Sequence, residues 1–306
     1  MMTLHKRVRL IIGLLVAMFS VACVFLPTPV PTSPPASGPT PTSTLASSSE
    51  PTSTPLPTST PDIPSSEAWQ ATVDALVALH RSAGSTPEHL RKENAVRTGD
   101  EFDVNAYFTV LDHLSMEPGY TLDYVYCYDG SGFAGFPKLY ARPDVVPTKA
   151  ATTDTPPTGD QPWYLTCNDV SGDADSYLAH VQVDGTEEGF FQFVVLRMMG
   201  GQFYLHWHAG YYDTAVVCDR ETVESIISAD GSYGQPFSAE QKQVARAIDP
   251  APVVEMEDDV VTVKVVVFSK WGGFKRGTFK IGRNFPHATL ESEFETLVEY
   301  DCGIMF

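Results

Sequence analysis

Residues 190–218 read FFQFVVLRMMGGQFYLHWHAGYYDTAVVC. Two apolar and aromatic runs flank Gly200-Gly201. Adjacent glycines supply the positive φ values of a two-residue hairpin turn, so the stretch predicts a β-hairpin centred there. The register would set Arg197 against Tyr204, Val195 against His206 and Phe193 against His208. With side chains alternating, Val194, Leu196, Phe203, Leu205 and Trp207 would line one face, and Phe193, Val195, Tyr204, His206 and His208 the other. Both faces carry large side chains, which predicts a central hairpin covered on each side.

Around this core, SEAWQATVDALVALHRS carries an apolar helical stripe through Trp69, Val73 and Leu76. A short helix follows Ser85-Thr86-Pro87, and Asp103 caps a third over VNAYFTVLDHLSM. Residues TLDYVYCYD, PWYLTC and YLAHVQVDG read as strands. Asp219 caps RETVESIIS, and Ser238 with Gln241 forms a capping box for AEQKQVARAI. Then VVEME, VVTVKVVVFSK, FKRGTFKI and ETLVEYDC alternate as strands, with Gly272-Gly273 turning a second hairpin. Helices segregated from mostly antiparallel strands predict an α+β fold built from long hairpins, with helices packed on the sheet. The element order is similar to the cone-shaped, curled-sheet folds of the NTF2-like kind. Helices followed by a glycine-turned hairpin occur twice, which is the order a duplication would leave.

The 306 residues carry a formal charge of −18. Residues 1–66 hold Lys6, Arg7 and Arg9 against Glu50 and Asp62, so the remaining 240 carry about −19. A domain that acidic repels phosphate backbones, which excludes nucleic acid as a partner. Residues 1–26 have a basic start and then an apolar run from Leu10 to Leu26. Within it, Ser20-Val21-Ala22-Cys23 resembles the lipobox of bacterial lipoprotein precursors, with serine where that family usually has leucine. The resemblance implies cleavage before Cys23 and its lipidation. An uncleaved anchor and a signal peptide cut elsewhere are the other two readings. All three place the chain outside the cytoplasm, at the outer face of the bacterial membrane or cell surface. From Pro27 to Ser66 the chain is almost entirely Pro, Ser and Thr, with twelve of its 24 prolines. This is an extended linker, not a folding unit; its forty residues reach roughly 120 Å as polyproline II. Residues 67–306 form the globular region.

Cys127, Cys167, Cys218 and Cys302 remain. Four cysteines in an exported domain predict two disulfides. Of three connectivities, Cys127–Cys167 with Cys218–Cys302 joins strands close in chain order.

No stretch carries a catalytic signature: G-x-S-x-G, S-x-x-K and H-E-x-x-H are absent. GSGFAG over 130–135 matches G-x-G-x-x-G, but Pro137 follows and no helix pattern opens, so it reads as a glycine-rich loop. Asn168, Asp169, Asp173 and Asp175 miss the EF-hand spacing and read as a solvated turn. His206 and His208, two apart on a predicted strand, place two imidazoles on one side, where Asp213 or His180 would complete a metal site. They loosely echo the cupin pattern, without its glutamate and second histidine motif. Lys270, Lys275 and Arg276 gather at the second hairpin tip. With the turn on Gly272-Gly273, Lys270 faces Lys275, a repulsion that an anion would relieve. No cofactor is implied. The chain therefore reads as a membrane-tethered extracytoplasmic protein with a ligand-binding, partner-binding or structural role at the envelope. The alternative is a hydrolase or metal-dependent enzyme using His206 and His208.

Overall fold

A computed structural model describes residues 65–128, 134–145, 166–168, 170, 173–211, 214–229 and 234–303. Cys23, the linker, Gly130, Gly132, most of PWYLTC, Asp169 and Asp213 lie outside these residues, as does the side chain of His208.

The fold is α+β, with helices packed on antiparallel sheets. Its centre is not a hairpin. Residues Glu187–Met199 form a helix, α2, and all of Gly189–Leu196 are buried, as is Met199. The hairpin expectation fails for two physical reasons. A helix enclosed on every side has no polar stripe, so its apolar run cannot be told from a buried strand by periodicity. The glycines also serve another purpose. Gly200 is right-handed, at φ −55°, and hands its N–H to Leu196 at 2.8 Å. A Cβ there would lie 2.6 Å from the Leu196 carbonyl and 3.1 Å from Leu139. Gly200 thus closes the helix where it presses on a strand. The start is equally well marked. Thr186 caps α2 by accepting the Gly189 N–H at 3.0 Å, and Glu187 and Glu188 face the positive end of the helix dipole.

The remaining elements assemble on α2. Helix α1, Ser66–Ser82, is capped by Ser65 and lays Trp69 against Phe191, ring centroids 4.4 Å apart. Strands β1, Leu114–Met116, and β4, Val181–Val183, pair at the amino end of α2. Strands β2, Tyr120–Tyr128, and β3, Ala134–Pro143, form a long hairpin, extended by β5, His206–Trp207. The glycine-rich loop thus leads into a strand. Five strands make the largest sheet: β6, Thr214–Val217; β7, Val253–Met256; β8, Val260–Ser269; β9, Gly273–Gly282; and β10, Thr289–Val298. Their order is β10-β9-β8-β6, with β7 also on β8.

Alternation decides which face of that sheet covers what. Val216, Val261, Val263, Val265, Val267, Phe279 and Ile281 share one core with α2. Val217, Val266, Phe268 and Phe274 point the other way. They meet Val223, Ile226 and Ile227 of α3, Arg220–Ser228, and Ala245 of α4, Ala239–Arg246. Asp219 caps α3, and Ser238 with Gln241 makes the expected capping box on α4. The duplication expectation loses its first hairpin, because the predicted second strand is divided between β5 and β6 on different sheets. Elsewhere the Asp103-capped segment is one 3-10 turn, Val104–Thr109, and YLAHVQVDG is a 3-10 turn, Ser176–His180, followed by β4.

A buried ion network ties residues 89–101 to β2 and β3. Asp123 accepts from Arg97 and, at 2.8 Å, from Arg142, and the Arg97 guanidinium lies 3.8 Å over the Tyr124 ring. Burial alone would raise the Glu101 pKa. The N–H groups of Thr98 and Gly99 and the His89 ring outweigh it and hold the carboxyl at about 2. His80 is pushed to about 4 by burial, its Nε2 lying 3.1 Å from the Tyr107 hydroxyl. These two shifts fix the acid response. The unfolded chain protonates His80 near 6.5 and Glu101 near 4.5, whereas the fold resists both. Stability therefore falls as pH drops from 6.5 to 4 through His80, and from 4.5 to 2 through Glu101. Urea midpoints at pH 7, 5 and 3 should decrease in that order; equal midpoints contradict the assignment.

Candidate functional site

The carboxyl end of α2 opens into a cleft of about 490 Å³. One wall is the disulfide Cys127–Cys167, formed as the sequence predicts. Strand β3 supplies Phe136, Lys138 and Leu139, and α2 supplies Arg197 and Met198. Each side chain is there for a local reason. Cys127 stands directly opposite Phe136 in the β2–β3 ladder, so both project on one face, and Lys138, two residues on, joins them. Tyr177 is fully buried, donates to the Leu196 carbonyl at 3.2 Å, and has its hydroxyl pKa pushed far up by burial. It braces the last turn of α2 from beneath.

Arg197 is the polar centre. It is the single basic residue of α2, in the last turn, where a cation suits the helix dipole. Its Nε donates to Asp175 at 2.8 Å, and its guanidinium carbon lies 5.2 Å from the Phe279 ring centre. Its Nη1 is buried with no partner among the described residues. Leaving such a donor unmade costs about 1–3 kcal/mol or more for a charged group. Lys138 donates to the Val170 carbonyl at 2.7 Å. Among the described residues the cleft carries two cations, Lys138 and Arg197, and one carboxylate, Asp175, in a domain of about −19.

The residues picked out from sequence fare differently. Cys218 and Cys302 do not pair: both are buried, unbonded thiols. Burial drives the Cys218 thiol far above its usual pKa. Cys218 directly follows β6 and sits in the α2 core, whereas Cys302 lies in the α3–α4 core, so chain order was a poor guide to which sheet face each occupies. His206 sits half-buried on β5, 6.0 Å from the Tyr128 ring. The strand stops at Trp207 and His208 opens a 3-10 turn, so the two-residue period assumed for the pair does not apply. His180 is engaged elsewhere, its Nδ1 2.8 Å from Glu117. Among the described residues no cluster of three or more His, Cys, Asp or Glu could hold a metal. At the second hairpin the turn is Lys270-Trp271-Gly272, because Ser269 pairs with Gly273. Lys275 faces Val267, not Lys270, and Arg276 lies between Val266 and Glu295. Lys270 donates to the Gly210 carbonyl at 3.0 Å. The repulsion that called for an anion at Lys270, Lys275 and Arg276 does not arise.

Arg197, Lys138 and Asp175 went unread as a set. The hairpin register puts Arg197 in a strand facing Tyr204, and the acidic run 168–175 puts Asp175 in a solvated turn. The one signal available was a lone arginine in a ten-residue apolar run. Compared with family models, curated proteins and solved structures, the chain matches none.

Proposed function

We propose that the chain is an extracytoplasmic binding protein, tethered to the membrane through Cys23 or its apolar leader, whose α2 cleft takes a small ligand with an apolar body and one anionic group. The observation that carries this is Arg197, a charged side chain lining an open, partly apolar cleft in a strongly acidic domain, with one guanidinium nitrogen buried and without a partner among the described residues. The acidic surface repels polyanions, and the local cations admit a small one. The Pro/Ser/Thr linker supports an envelope address, since it can hold a domain away from a bilayer. No described helix is long and apolar enough to cross a membrane.

Anilinonaphthalene sulfonate, an apolar ring system with one anionic group, is a suitable probe. Its fluorescence should saturate at one equivalent. Arg197→Gln should weaken it about tenfold, the equivalent of about 1.4 kcal/mol, with the melting temperature little changed. Binding that fails to saturate, or is indifferent to Arg197→Gln, would refute the cleft as the site.

A further inference from the structure

Strand β10 is the open edge of the five-stranded sheet, and among the described residues β9 is its sole strand partner. Every second N–H and C=O of β10 points away from β9, and no backbone group of another described element meets them. Residues 290–296, seven in succession, are exposed. Natural sheet edges are commonly kept very short, covered, or broken by lysine or proline. This one is ten residues long and has neither lysine nor proline. Its register to β9 slips between Thr289 and Glu291 and again between Thr296 and Val298, which leaves 291–296 as a regular run between two irregular ends.

Alternation sorts that run into two rows. Ser292 lies directly opposite Phe279, so Ser292, Phe294 and Thr296 stand on the face of the sheet that carries Phe279. Phe294 lies opposite Gly277 and meets the Phe279 ring edge-on at 5.7 Å. A Cβ on Gly277 would lie 3.1 Å from the Phe294 ring, so the glycine makes that seat. The ring is still half-exposed. Glu291, Glu293 and Glu295 form the second row, on the opposite face. Strand β9 answers the first of them, since Lys280 donates to Glu291 at 2.5 Å. Glu293 lies opposite Thr278 and Glu295 opposite Arg276, and no ion pair joins either carboxylate to a described residue.

We propose that β10 is a docking edge for an extended segment of another protein that carries lysine or arginine at every second position. The incoming strand takes up the unpaired N–H and C=O groups of β10 as a sixth strand. Its cations stand opposite Glu293 and Glu295, and an uncharged side chain between them covers Phe294. The charge pattern selects against a second copy of this chain. Directly opposite residues of an antiparallel pair share a face, so two β10 strands would set glutamate against glutamate in every register of the run. The charge of about −19 on the domain draws a cationic segment in from a distance. The edge is separate from the Arg197 cleft, and either reading can fail alone.

The test uses the isotope-labelled full chain in detergent and the blocked peptide Thr-Lys-Val-Lys-Val-Lys-Thr. The control, Thr-Lys-Lys-Val-Val-Lys-Thr, has the same composition and charge without the alternation. The first peptide should slow solvent exchange at alternate amides of residues 290–296 about tenfold or more, and the control should leave them unchanged. Glu293→Lys should weaken binding about fivefold, the upper end for one cross-strand charge pair. The position is exposed, so this variant should melt with the parent. Equal protection by both peptides would mean charge attraction alone, and would overturn the proposal. So would β10 amides that neither peptide protects, or binding indifferent to Glu293→Lys. Protection that grows with protein concentration in the absence of peptide would give the edge to a second copy, and would overturn it as well.

Discussion

Asp123→Ala should remove about 3–5 kcal/mol of folding stability, the scale for breaking a buried ion pair from one side. Asp123 is 5% exposed and bridges two guanidinium groups from segments that are otherwise separate, Arg97 before β2 and Arg142 at the end of β3. Its Oδ1 also accepts the Tyr124 N–H at 2.8 Å. Alanine would leave two cations sharing one buried site without the carboxylate between them. Arg97 would keep its stacking on Tyr124 and a longer contact to Glu101 at 3.8 Å, which offset only part of the loss. Chemical denaturation at pH 7 measures the difference. A loss under 1 kcal/mol would mean the network is solvated and dispensable. Against a typical domain stability of about 5–15 kcal/mol, the expected loss brings the variant close to unfolding at 37 °C.

Phe191→Ala should cost a similar amount, about 3–5 kcal/mol. The ring is fully buried and packs on Trp69 of α1 at a tilt of 57°, so its removal takes away that packing and leaves a cavity. Leu290→Ala and Phe294→Ala on the outer strand β10, with side chains 60% and 48% exposed, should each cost far less. Thermal melts of the three variants give the comparison. Equal losses would contradict the placement of the core around α2.

Local signals were legible in the sequence, and distant ones were not. The caps at Asp219 and Ser238, the alternation of β8 and β9, and the α+β class all follow from neighbours within four residues. The central helix did not, because Phe190–Met199 has no polar face to betray its period. Its start was written in Thr186, Glu187 and Glu188, a cap and two carboxylates that read equally well as a turn. Cys127–Cys167 was legible because cysteines close in chain order often meet, and the same rule misled for Cys218 and Cys302. The side-chain pairs at the two ends of α2 were illegible for one reason. His113 and Asp184 are 71 residues apart and meet where β1 pairs with β4, and Arg197 and Asp175 are 22 apart and meet at the end of α2, so neither pair shows in a local pattern.

Both pairs, and the cleft around Arg197, thus depend on residues 187–199 being helical: Gln192 accepts the His113 N–H at 2.9 Å, Thr186 donates to Asp184, and Arg197 lines the cleft. Nuclear Overhauser contacts between successive amides of the isotope-labelled chain test this directly. An unbroken run of amide–amide contacts from Glu188 to Met199, with slow exchange from Phe190 onward, is the predicted result. Strong cross-strand contacts between residues 194–198 and 203–207, the signature of a hairpin about Gly200-Gly201, would contradict it.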